Sequence, residues 1–541
     1  MLLSTEIVTD SFCGAGGASH GIRLALGRQP EVAINHNPTQ IRIHTANHPE
    51  TEHFISDIWE VDPVEATGGR DVGFSWFSPD CTHFSKAKGG KPKSAKIRAL
   101  AWTTCRWAKA VRPRICVVEN VEEILGWCPL KDGKPTGATV EMKHEGVTRK
   151  VGTTFARWFR RMERMGYVGS WRVLRACDYG APTTRKRVFF IFRRDGIAPQ
   201  WPAPTHGDAK ARAKNPALAP WRTAAECIDF TIPNHSIFLT SSDVKKAGLK
   251  IRRPLALPTL RRIARGMHRH VLTSAKPFIV PDGQAPILTQ TGYGERHATE
   301  ACRAQDTRVL DLQEPLGSIV ACGIKHAVSA AVLAPIVVKH NGGHEGPGTS
   351  CLAPMDALVA TNNKGLALAC LTKYNGTQQF PDIDGPGPTI TCTEGLAVSI
   401  AQTIAVDCLT PEQIAGAQRC YTFLAEHGAL DGVQADPVNR LVFVRVDGLW
   451  YVVVDICMRM LTPRELARCQ GFDDSYDIDL GGTLSKELTV RGIGNSVCPQ
   501  LAMAIALANL GRPVGLDSAY DLGYAQGVSD DGRTAPPEVP S

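Results

Sequence analysis

Residues 5–27, TEIVTDSFCGAGGASHGIRLALG, predict a β-strand, a glycine-rich turn and an α-helix in immediate succession. The strand covers TEIVTDSF, where apolar and β-branched residues cluster, and the helix begins at GASHG. Small residues at such a junction let a ligand approach the backbone and meet the helix N-terminus. The glycines lack the spacing of the dinucleotide-binding fingerprint, so the turn taken alone also suits a purely structural role.

Further short apolar strands follow before residue 200 and alternate with helical stretches. They are EVAIN (31–35), DVGFSWFS (71–78), RICVVEN (114–120) and VFFIFRR (188–194). Residues 97–111, IRALAWTTCRWAKAV, carry an apolar helical stripe, which predicts a crossover helix packed on the sheet. The alternation is typical of an α/β domain with a doubly wound, parallel sheet covered by helices.

The composition changes at about residue 203, where proline, glycine and threonine increase and helical periodicity fades. An internal repeat occupies PILTQTGYGERHA (286–298), PLGSIVACGIKHA (315–327), PMDALVATNNKGL (354–366) and PTITCTEGLA (388–397). Such units predict short β-strands joined by tight turns, which suit either a structural scaffold or a binding surface. VFVRVDGLWYVVVD (442–455) predicts a hairpin, and residues 516–541 predict a loose tail.

The chain of 541 residues exceeds one ordinary hydrophobic core and predicts two lobes or one enlarged domain. Its net charge of +8 is compatible with a polyanionic partner without requiring one. The N-terminus lacks a basic segment followed by an apolar core, and no apolar stretch approaches about 18 residues, so neither export nor membrane insertion is expected. The 17 scattered cysteines without paired CxxC spacing predict neither a disulfide framework nor a zinc site, in a reducing compartment.

A cysteine and an acid lie near the ends of two of the predicted strands. Cys81 follows the strand in FSPDCTHFSK, and Glu119 is the next-to-last residue of RICVVEN. A thiolate is the side chain best suited to add to C6 of a pyrimidine and leave again, and an acid can protonate the ring as attack occurs. The segment SKAKGGKPKSAKIR (85–98) carries six basic residues. A solvated charge run is the ordinary interpretation, but its position after the catalytic strand favours a loop that closes over phosphates.

Six sequence blocks in a fixed order make the chain resemble the DNA (cytosine-5) methyltransferases of bacteria and phages. The blocks are the glycine turn, Cys81 with Phe84-Ser85, Glu119-Asn120-Val121, RACDYGAPTTRKR (175–187), RELARCQGF (464–472) and GNSV (494–497). The resemblance implies a Rossmann-like S-adenosylmethionine-dependent methyltransferase domain built from residues 1–205 and 441–515. It also implies an inserted, largely β target-recognition region at residues 206–440.

The resemblance assigns roles to individual residues. Those implied to bind S-adenosyl-L-methionine are Phe12, Gly14, Gly16, Gly17, Asn35, His36, Asp57, Pro79, Asn495 and Ser496. Those implied in catalysis are Cys81 as the nucleophile, Glu119 at N3 and the exocyclic amine, and Arg185 and Arg187 around the flipped cytosine and the active-site loop. No metal is implied. Because Asn495 and Ser496 would return to the cofactor, the first and last blocks are expected to share one domain.

The chain departs from the family pattern at three positions. Asp80 separates Pro79 from Cys81, which are usually adjacent, so one of the two must be displaced. Asn35 stands where an acid usually bonds the cofactor ribose, and a neutral amide would bond it without charge assistance. Thr183 takes the place of a glutamine.

These features predict transfer of a methyl group from S-adenosyl-L-methionine to C5 of a cytosine flipped out of double-stranded DNA. We expect a monomeric, cytoplasmic protein of a bacterium or phage, with no membrane or metal partner. Two alternatives stay open. One is methylation of an exocyclic amine, which Ser78-Pro79-Asp80-Cys81 faintly suggests but which leaves Glu119 and Arg185 unexplained. The other is a DNA-binding homologue that the Asp80 insertion has inactivated.

Overall fold

A computed structural model describes residues 2–80, 84, 95–132, 134–280, 284–290, 309–319, 325–339, 349–350, 364–365, 370–373, 396–399, 409–446 and 449–511. The chain forms two compact units. Unit 1 comprises Met1–Asp229, Gln313–Ile324 and Leu461–Ser541, and unit 2 comprises Phe230–Leu312 and Lys325–Met460.

The secondary structure of the described residues is as follows. The strands are β1 Ile7–Ser11, β2 Val32–Ile34, β3 Glu52–Phe54, β4 Val72–Phe77, β5 Ile115–Asn120, β6 Leu130–Lys131, β7 Lys134–Pro135, β8 Thr139–His144, β9 Val147–Gly152, β10 Val168–Arg175, β11 Lys186–Arg193, β12 His206–Gly207, β13 Ala219–Pro220, β14 His235–Ser236, β15 Gln284–Gln290, β16 Val309–Leu310, β17 His326–Lys339, β18 Thr349–Ser350, β19 Lys364–Gly365, β20 Cys370–Lys373, β21 Leu396–Ser399, β22 Ala435–Asp436, β23 Leu441–Val446 and β24 Leu449–Met460. The α-helices are α1 Gly17–Leu26, α2 Pro38–Asn47, α3 Pro63–Thr67, α4 Ala95–Arg98, α5 Trp102–Ala110, α6 Thr153–Arg164, α7 Ala209–Lys214, α8 Ser241–Lys246, α9 Leu257–Met267, α10 Pro411–Glu426, α11 Pro463–Gln470, α12 Lys486–Asn495 and α13 Pro499–Leu510.

Unit 1 is built on a seven-stranded sheet of order β10-β11-β5-β4-β1-β2-β3. Strands β1 to β5 run parallel, β11 is added antiparallel to β5, and β10 pairs antiparallel with β11 at the edge of the sheet. Ser11 is in register with Ile34 on β2 and Phe77 on β4, so three carboxyl ends meet at one edge. The predicted doubly wound, Rossmann-like α/β fold is confirmed, as are the five strands predicted before residue 200.

Helices cover both faces of this sheet, as a parallel sheet with two apolar faces requires. Helices α5 and α6 pack on one face, where Trp107 and Trp158 are fully buried. Helices α1 and α13 pack together on the other face, around Ile22 and Ile505. The crossover helix predicted at 97–111 is present as α5, preceded by a short 3-10 turn.

The segment Lys486–Leu510 is long and apolar enough to cross a membrane by length and composition alone, with a mean hydropathy of 1.3. It consists of two helices, α12 and α13, and 72% of its most apolar window is buried inside the protein. The segment therefore has the features of core helices.

Unit 2 contains a larger, mainly antiparallel sheet whose path is β16-β15-β17-β24-β23-β22. Its core lies between this sheet and helices α9 and α10. The first predicted repeat begins in β15, and the second ends in the first residues of β17. Most of the third and fourth repeats, and the turn of the hairpin at 447–448, lie outside the described residues.

The unit boundaries differ from the expected limits of 206–440. Residues 206–229 and 313–324 belong to unit 1, and the hairpin β23–β24 belongs to unit 2. The hairpin lies there because β24 pairs with β17 along most of its length. Residues 313–324 lie in unit 1 because the backbone of Leu316 pairs with Thr183 and Thr184 beside β11.

A buried polar network links the first elements of unit 1. The Ser19 hydroxyl donates to Asp10 Oδ2 at 2.7 Å, and His44 Nε2 lies 2.9 Å from the same hydroxyl. His44 Nδ1 lies 2.7 Å from His53 Nε2. Burial raises the pKa of Asp10 to about 7 and lowers the pKa of His44 well below its ordinary value. Burial therefore favours the neutral forms of both Asp10 and His44 in the folded protein.

We predict that Asp10→Asn removes a pH-dependent contribution to stability. The raised pKa of Asp10 means that the folded state keeps a proton that the unfolded state releases above about pH 3.8. The free energy of unfolding therefore contains a contribution that is full below that pH and is lost as pH rises to about 7. This shift corresponds to about 4 kcal/mol. The measurement is denaturant unfolding of both proteins from pH 4 to 8.

The difference between wild type and variant isolates Asp10, because His44 contributes with the opposite sign in both proteins. Asp71→Asn, at an exposed aspartate, is the matched control. A wild-type-minus-D10N difference that stays constant across this pH range would contradict a raised pKa.

Candidate active site

The sheet edge at the carboxyl ends of β1, β2, β4 and β5 carries most of the residues singled out from the sequence. Phe12 follows β1 with a left-handed φ of 65°, and its amide donates to Ile34 O at 2.9 Å. This bond continues the β1–β2 pairing by one step and turns the chain away from the sheet. The side chain of Phe12 packs against the aromatic core on the α5 face.

The glycine turn is held from behind by Tyr476. Its hydroxyl donates to Ala15 O at 2.6 Å. Gly16 has φ 92°, and a Cβ placed there would lie 2.1 Å from the Tyr476 oxygen, so only glycine fits. Gly14, in contrast, faces open space, with nothing closer to its added Cβ than Phe12 O at 3.9 Å. A ligand can therefore reach the turn at Gly14 while Gly16 contacts the protein.

The C-terminal block GNSV lies against the first helix. A Cβ on Gly17 would lie 2.1 Å from Val497 O, and one on Gly21 would lie 2.2 Å from Pro499 O. Ser496 is buried, and its hydroxyl donates to Gly492 O at 2.9 Å, whereas the side chain of Asn495 is exposed. The first and last blocks thus share one unit, and Asn495 is the member free to meet a ligand.

Three further candidate cofactor residues follow β2 and β3. Asn35 is half-buried, and its Oδ1 accepts from Asn37 N at 2.9 Å. His36 is exposed. Asp57 is half-buried, and its Oδ1 accepts from Trp59 N at 3.1 Å. Each of Asn35 and Asp57 therefore stabilises a local turn with one oxygen and has a second polar atom to offer.

Asn120 fixes the chain that leads to the candidate nucleophile. Its Nδ2 donates to Pro79 O at 3.0 Å, and its Oδ1 accepts from Val121 N at 2.9 Å. Pro79 is buried and Asp80 is exposed. Cys81 itself lies outside the described residues. The anchored Pro79 is two residues before it, a chain length of about 7 Å.

Glu119 and Arg187 form an ion pair beside this anchor. Arg187 Nε lies 3.0 Å from Glu119 Oε1, and the two side chains are only 16% and 10% exposed. The pair follows from strand register, because Glu119 is opposite Phe189 and Arg187 lies two residues away on the same face of β11. An oriented, largely desolvated carboxylate therefore lies at the end of β5.

Arg185 is buried and contacts the main chain. Its Nη1 donates to Gly494 O at 3.1 Å and to Ile319 O at 3.5 Å. Thr183, also buried, accepts from Arg185 N at 3.4 Å. Arg185 therefore joins the arginine block to the GNSV block and to residues 313–324, contacts that the sequence did not predict.

The predicted basic loop (85–98) falls largely outside the described residues, which include only 95–98 of this stretch and residue 84 just before it. Within them, Arg98 stacks over the ring of Phe84 at 5.0 Å, and that ring contacts Trp127 edge-on at 5.8 Å. The chain just beyond Cys81 is thus packed against the segment that follows β5.

The ten cysteines whose side chains the structure describes are buried. Burial raises the pKa of the thiols of Cys105, Cys116 and Cys177 to about 12. Such thiols carry almost no thiolate at neutral pH and make poor nucleophiles. In the same described ranges, no cluster of three or more His, Cys, Asp or Glu side chains is placed to hold a metal ion.

Several bacterial proteins resemble parts of this chain. The Type II methyltransferase M.AquIA of Picosynechococcus sp. is 27% identical over 41% of this chain and 87% of its own length. M.AgeI of Thalassovita gelatinovora is 28% identical over 37% of this chain, and M.DdeI of Desulfomicrobium norvegicum is 29% identical over 34%. The matches span only 42% and 40% of those two proteins.

Solved structures match at low scores. The S. pombe Dnmt2 methyltransferase has a TM-score of 0.41 and 10% identity, over 92% of this chain and 96% of that chain. A DNA modification methyltransferase encoded within an E. coli prophage has a TM-score of 0.35 and 14% identity. Scores this low carry no argument about the present chain.

The family comparison is decisive because it covers more than half of the chain and both ends of unit 1. The pattern of the C-5 cytosine-specific DNA methylase family matches residues 7–219 and 437–510. These residues include the glycine turn, Glu119 beside Arg187, and the GNSV block that closes on α1. The chain therefore belongs to the C-5 cytosine-specific DNA methylase family.

Proposed function

We propose that this chain transfers a methyl group from S-adenosyl-L-methionine to C5 of a cytosine in double-stranded DNA, at a specific sequence. The observation that carries the proposal is the hydrogen bond that Asn120 Nδ2 donates to Pro79 O at 3.0 Å. This bond keeps the start of the Cys81 loop next to Glu119, the residue that precedes Asn120 on β5. A nucleophile and an acid on one sheet edge are what addition to C6 requires.

The residues at this edge fit S-adenosyl-L-methionine. The turn is open at Gly14, so a methionine moiety can approach its backbone. Asn35 and Asp57 stand after the two neighbouring parallel strands, where a nucleoside bound at a switch point meets polar ends. We assign Asn35 to the ribose, Asp57 to the adenine amino group and Phe12 to the adenine ring. When bound, the cofactor supplies an electrophilic methyl group.

The chain's own residues would act on the cytosine in turn. The Cys81 thiolate forms a bond to C6, and Glu119 holds the N3 side of the ring and stabilises the proton gained there. Electron density then reaches C5, which takes the methyl group. Loss of the C5 proton to solvent restores the ring and breaks the bond to sulfur, returning the thiolate. Arg187 orients Glu119, because their ion pair fixes the carboxylate at 3.0 Å. The base must be flipped out for this to occur, since C6 of a stacked base is beyond reach of a thiolate.

We predict that Cys81→Ser abolishes methyl transfer and leaves S-adenosyl-L-methionine binding nearly unchanged. An alcohol does not supply a nucleophile that forms and leaves so readily. The measurements are tritiated methyl transfer to DNA and calorimetric cofactor binding. DNA that contains 5-fluorocytosine should trap the wild type covalently, because fluorine is not lost as a proton is.

Peptide mapping of the trapped complex identifies the reacting cysteine. An adduct on one of the buried cysteines would overturn the assignment to Cys81, and Cys105→Ser is the matched control. Nucleoside analysis of treated DNA separates the alternatives, because an amino methyltransferase yields N4-methylcytosine or N6-methyladenine and an inactive homologue yields no product.

We predict that Glu119→Gln lowers the methylation rate by about 10²- to 10⁴-fold, the usual contribution of a positioned acid. The amide keeps the shape of the side chain but does not stabilise a proton at N3. Single-turnover rates measure the loss, and unchanged thermal unfolding shows that the fold is retained. Glu122→Gln, at an exposed acid three residues away, is the control. Near-normal turnover of the Glu119 variant would assign ring protonation to another group.

We further propose that unit 2 contains the sequence reader and that unit 1 is catalytic. The support is the independent core of unit 2 and its break from unit 1 at 229 and 461. Exchanging residues 230–312 and 325–460 for the equivalent segments of a relative with another target should transfer that target, as read by bisulfite sequencing. Residues 313–324 must stay native, because Ile319 O accepts from Arg185. Retention of the original target by an active chimera would assign recognition to unit 1.

A further inference from the structure

A dense positive charge lies on one short part of unit 1, between β5 and β10. Residues 130–164 contain nine lysines and arginines against four aspartates and glutamates, a net charge of +5 in a chain whose total is +8. This stretch forms two hairpins, β6–β7 and β8–β9, followed by helix α6. Most of the net charge of the protein is therefore concentrated in about one fifteenth of its length.

Helix α6 presents this charge on a single face. Its inner face buries Phe155, Trp158, Phe159 and Met162, which leaves the outer face to charged residues. The exposed cations of α6 and of strand β9, here called the basic surface, are Arg149, Lys150, Arg157, Arg160, Arg161 and Arg164. Arg157 and Arg161, and Arg160 and Arg164, are spaced i, i+4, and like charges at that spacing destabilise a helix. An anionic partner would remove this repulsion.

Several surface arginines of unit 1 form ion pairs with acidic residues, and within the described residues those of α6 do not. Arg172 pairs with Glu145, Arg468 with Asp474, and Arg491 with Glu487. In the described part of unit 1, no ion pair joins Arg157, Arg160, Arg161 or Arg164 to a carboxylate. Arg164 Nε donates to Arg160 O at 3.3 Å, and Arg160 interacts electrostatically with Glu163. The remaining N–H groups of these guanidiniums can donate to an external anion.

A cleft runs along the basic surface. Its volume is about 800 Å³, and it is lined by Val140 of β8 and by Arg157, Arg160, Glu163 and Arg164 of α6. The three arginines extend over about 10 Å of helix axis, at 1.5 Å per residue. Over that length duplex DNA presents several phosphates, since it carries one charge per about 1.7 Å of its axis.

The position of α6 favours DNA over other polyanions. The amides of Thr154 and Phe155, in the first turn of α6, both donate to Trp127 O at 3.0 Å. The ring of Trp127 contacts Phe84, three residues after the candidate nucleophile. The first turn of α6 therefore adjoins the catalytic edge, and a duplex engaged there has flanking phosphates to offer the helix.

We propose that the basic surface binds the phosphate backbone of duplex DNA that flanks the target, independently of sequence. This inference rests on the proposed function only for the identity of the polyanion. Sequence-independent binding outside the reader would hold the enzyme on DNA between target sites and would make affinity strongly dependent on salt.

The test compares two triple variants of the full chain, each of which removes three positive charges. The first is Arg157→Gln, Arg160→Gln and Arg164→Gln on α6. The second, the matched control, is Lys210→Gln, Arg212→Gln and Lys214→Gln on the exposed face of α7. Fluorescence anisotropy gives the Kd for a labelled duplex without a target site, from 50 to about 300 mM salt and without cofactor. Equal thermal unfolding midpoints show that the variants are folded.

At 0.1 M salt, the α6 variant should bind the duplex at least about tenfold more weakly than the wild type. The magnitude of its slope of log K against log salt should also be smaller by about 2 to 3, because each phosphate that is no longer neutralised contributes roughly 0.9. The control should match the wild type. Equal slopes for the two triple variants would overturn the proposal. So would unchanged DNA binding combined with the loss of binding to vesicles of anionic lipid, which would assign the surface to a membrane.

A second measurement uses the wild type alone and so does not depend on the folding of a variant. Phenylglyoxal modifies exposed arginines, and mass spectrometry reports the extent at each. DNA should protect Arg157, Arg160 and Arg164 and leave Arg212 reactive, whereas equal modification with and without DNA would contradict the proposal. Both measurements report DNA binding and not methyl transfer, so they test this inference separately from the proposed catalytic activity. If the protein has no methyltransferase activity but the α6 variant still binds DNA more weakly than the wild type, only the proposed function is contradicted.

Discussion

Unit 1 depends on the close approach of two segments that lie almost 480 residues apart in the sequence. The backbone of α1 touches the start of α13 at Gly17 and Gly21, where a Cβ would lie 2.1 and 2.2 Å from main-chain oxygens of Val497 and Pro499. Real Cβ atoms essentially never come that close, so any larger residue would push the helices apart. Because the glycine turn immediately precedes α1, this packing also sets where the turn lies relative to GNSV.

Buried polar side chains fix the segments that lead from this packing to the candidate site residues. Tyr476 holds the turn through Ala15 O, Asn120 holds Pro79 O, and Arg185 holds Gly494 O. Each uses a side chain to fix a main-chain carbonyl of another segment. Such bonds are strong in a dry interior and leave the backbone little freedom. Of the residues proposed to touch ligands, Gly14 adjoins Ala15, whose carbonyl is fixed in this way.

Local patterns predicted most of unit 1 and several elements of the site. The glycine turn, Glu119 at the end of its strand and the crossover helix α5 were all correctly placed, because strand and helix periodicity is a local property. Long-range main-chain contacts were not predictable. Leu316 pairs with Thr183 through backbone atoms alone, so nothing in its side chain marks it as part of unit 1. Tyr476 lies in an irregular segment without periodicity. The β8–β9 hairpin was also missed, since its alternation is mostly between polar residues.

The packing of α13 on α1 has a consequence for synthesis. Helix α1 is complete after 26 residues, but the helix that covers its apolar face ends only at Leu510. At about 5–20 residues per second, that face stays uncovered for roughly half a minute or more while the rest of the chain is made. Ile22 and Leu26 are then available to chaperones or to other nascent chains. Premature termination anywhere in unit 2 would release a product whose unit 1 is incomplete and exposes this apolar face, and such a product is prone to aggregation and degradation.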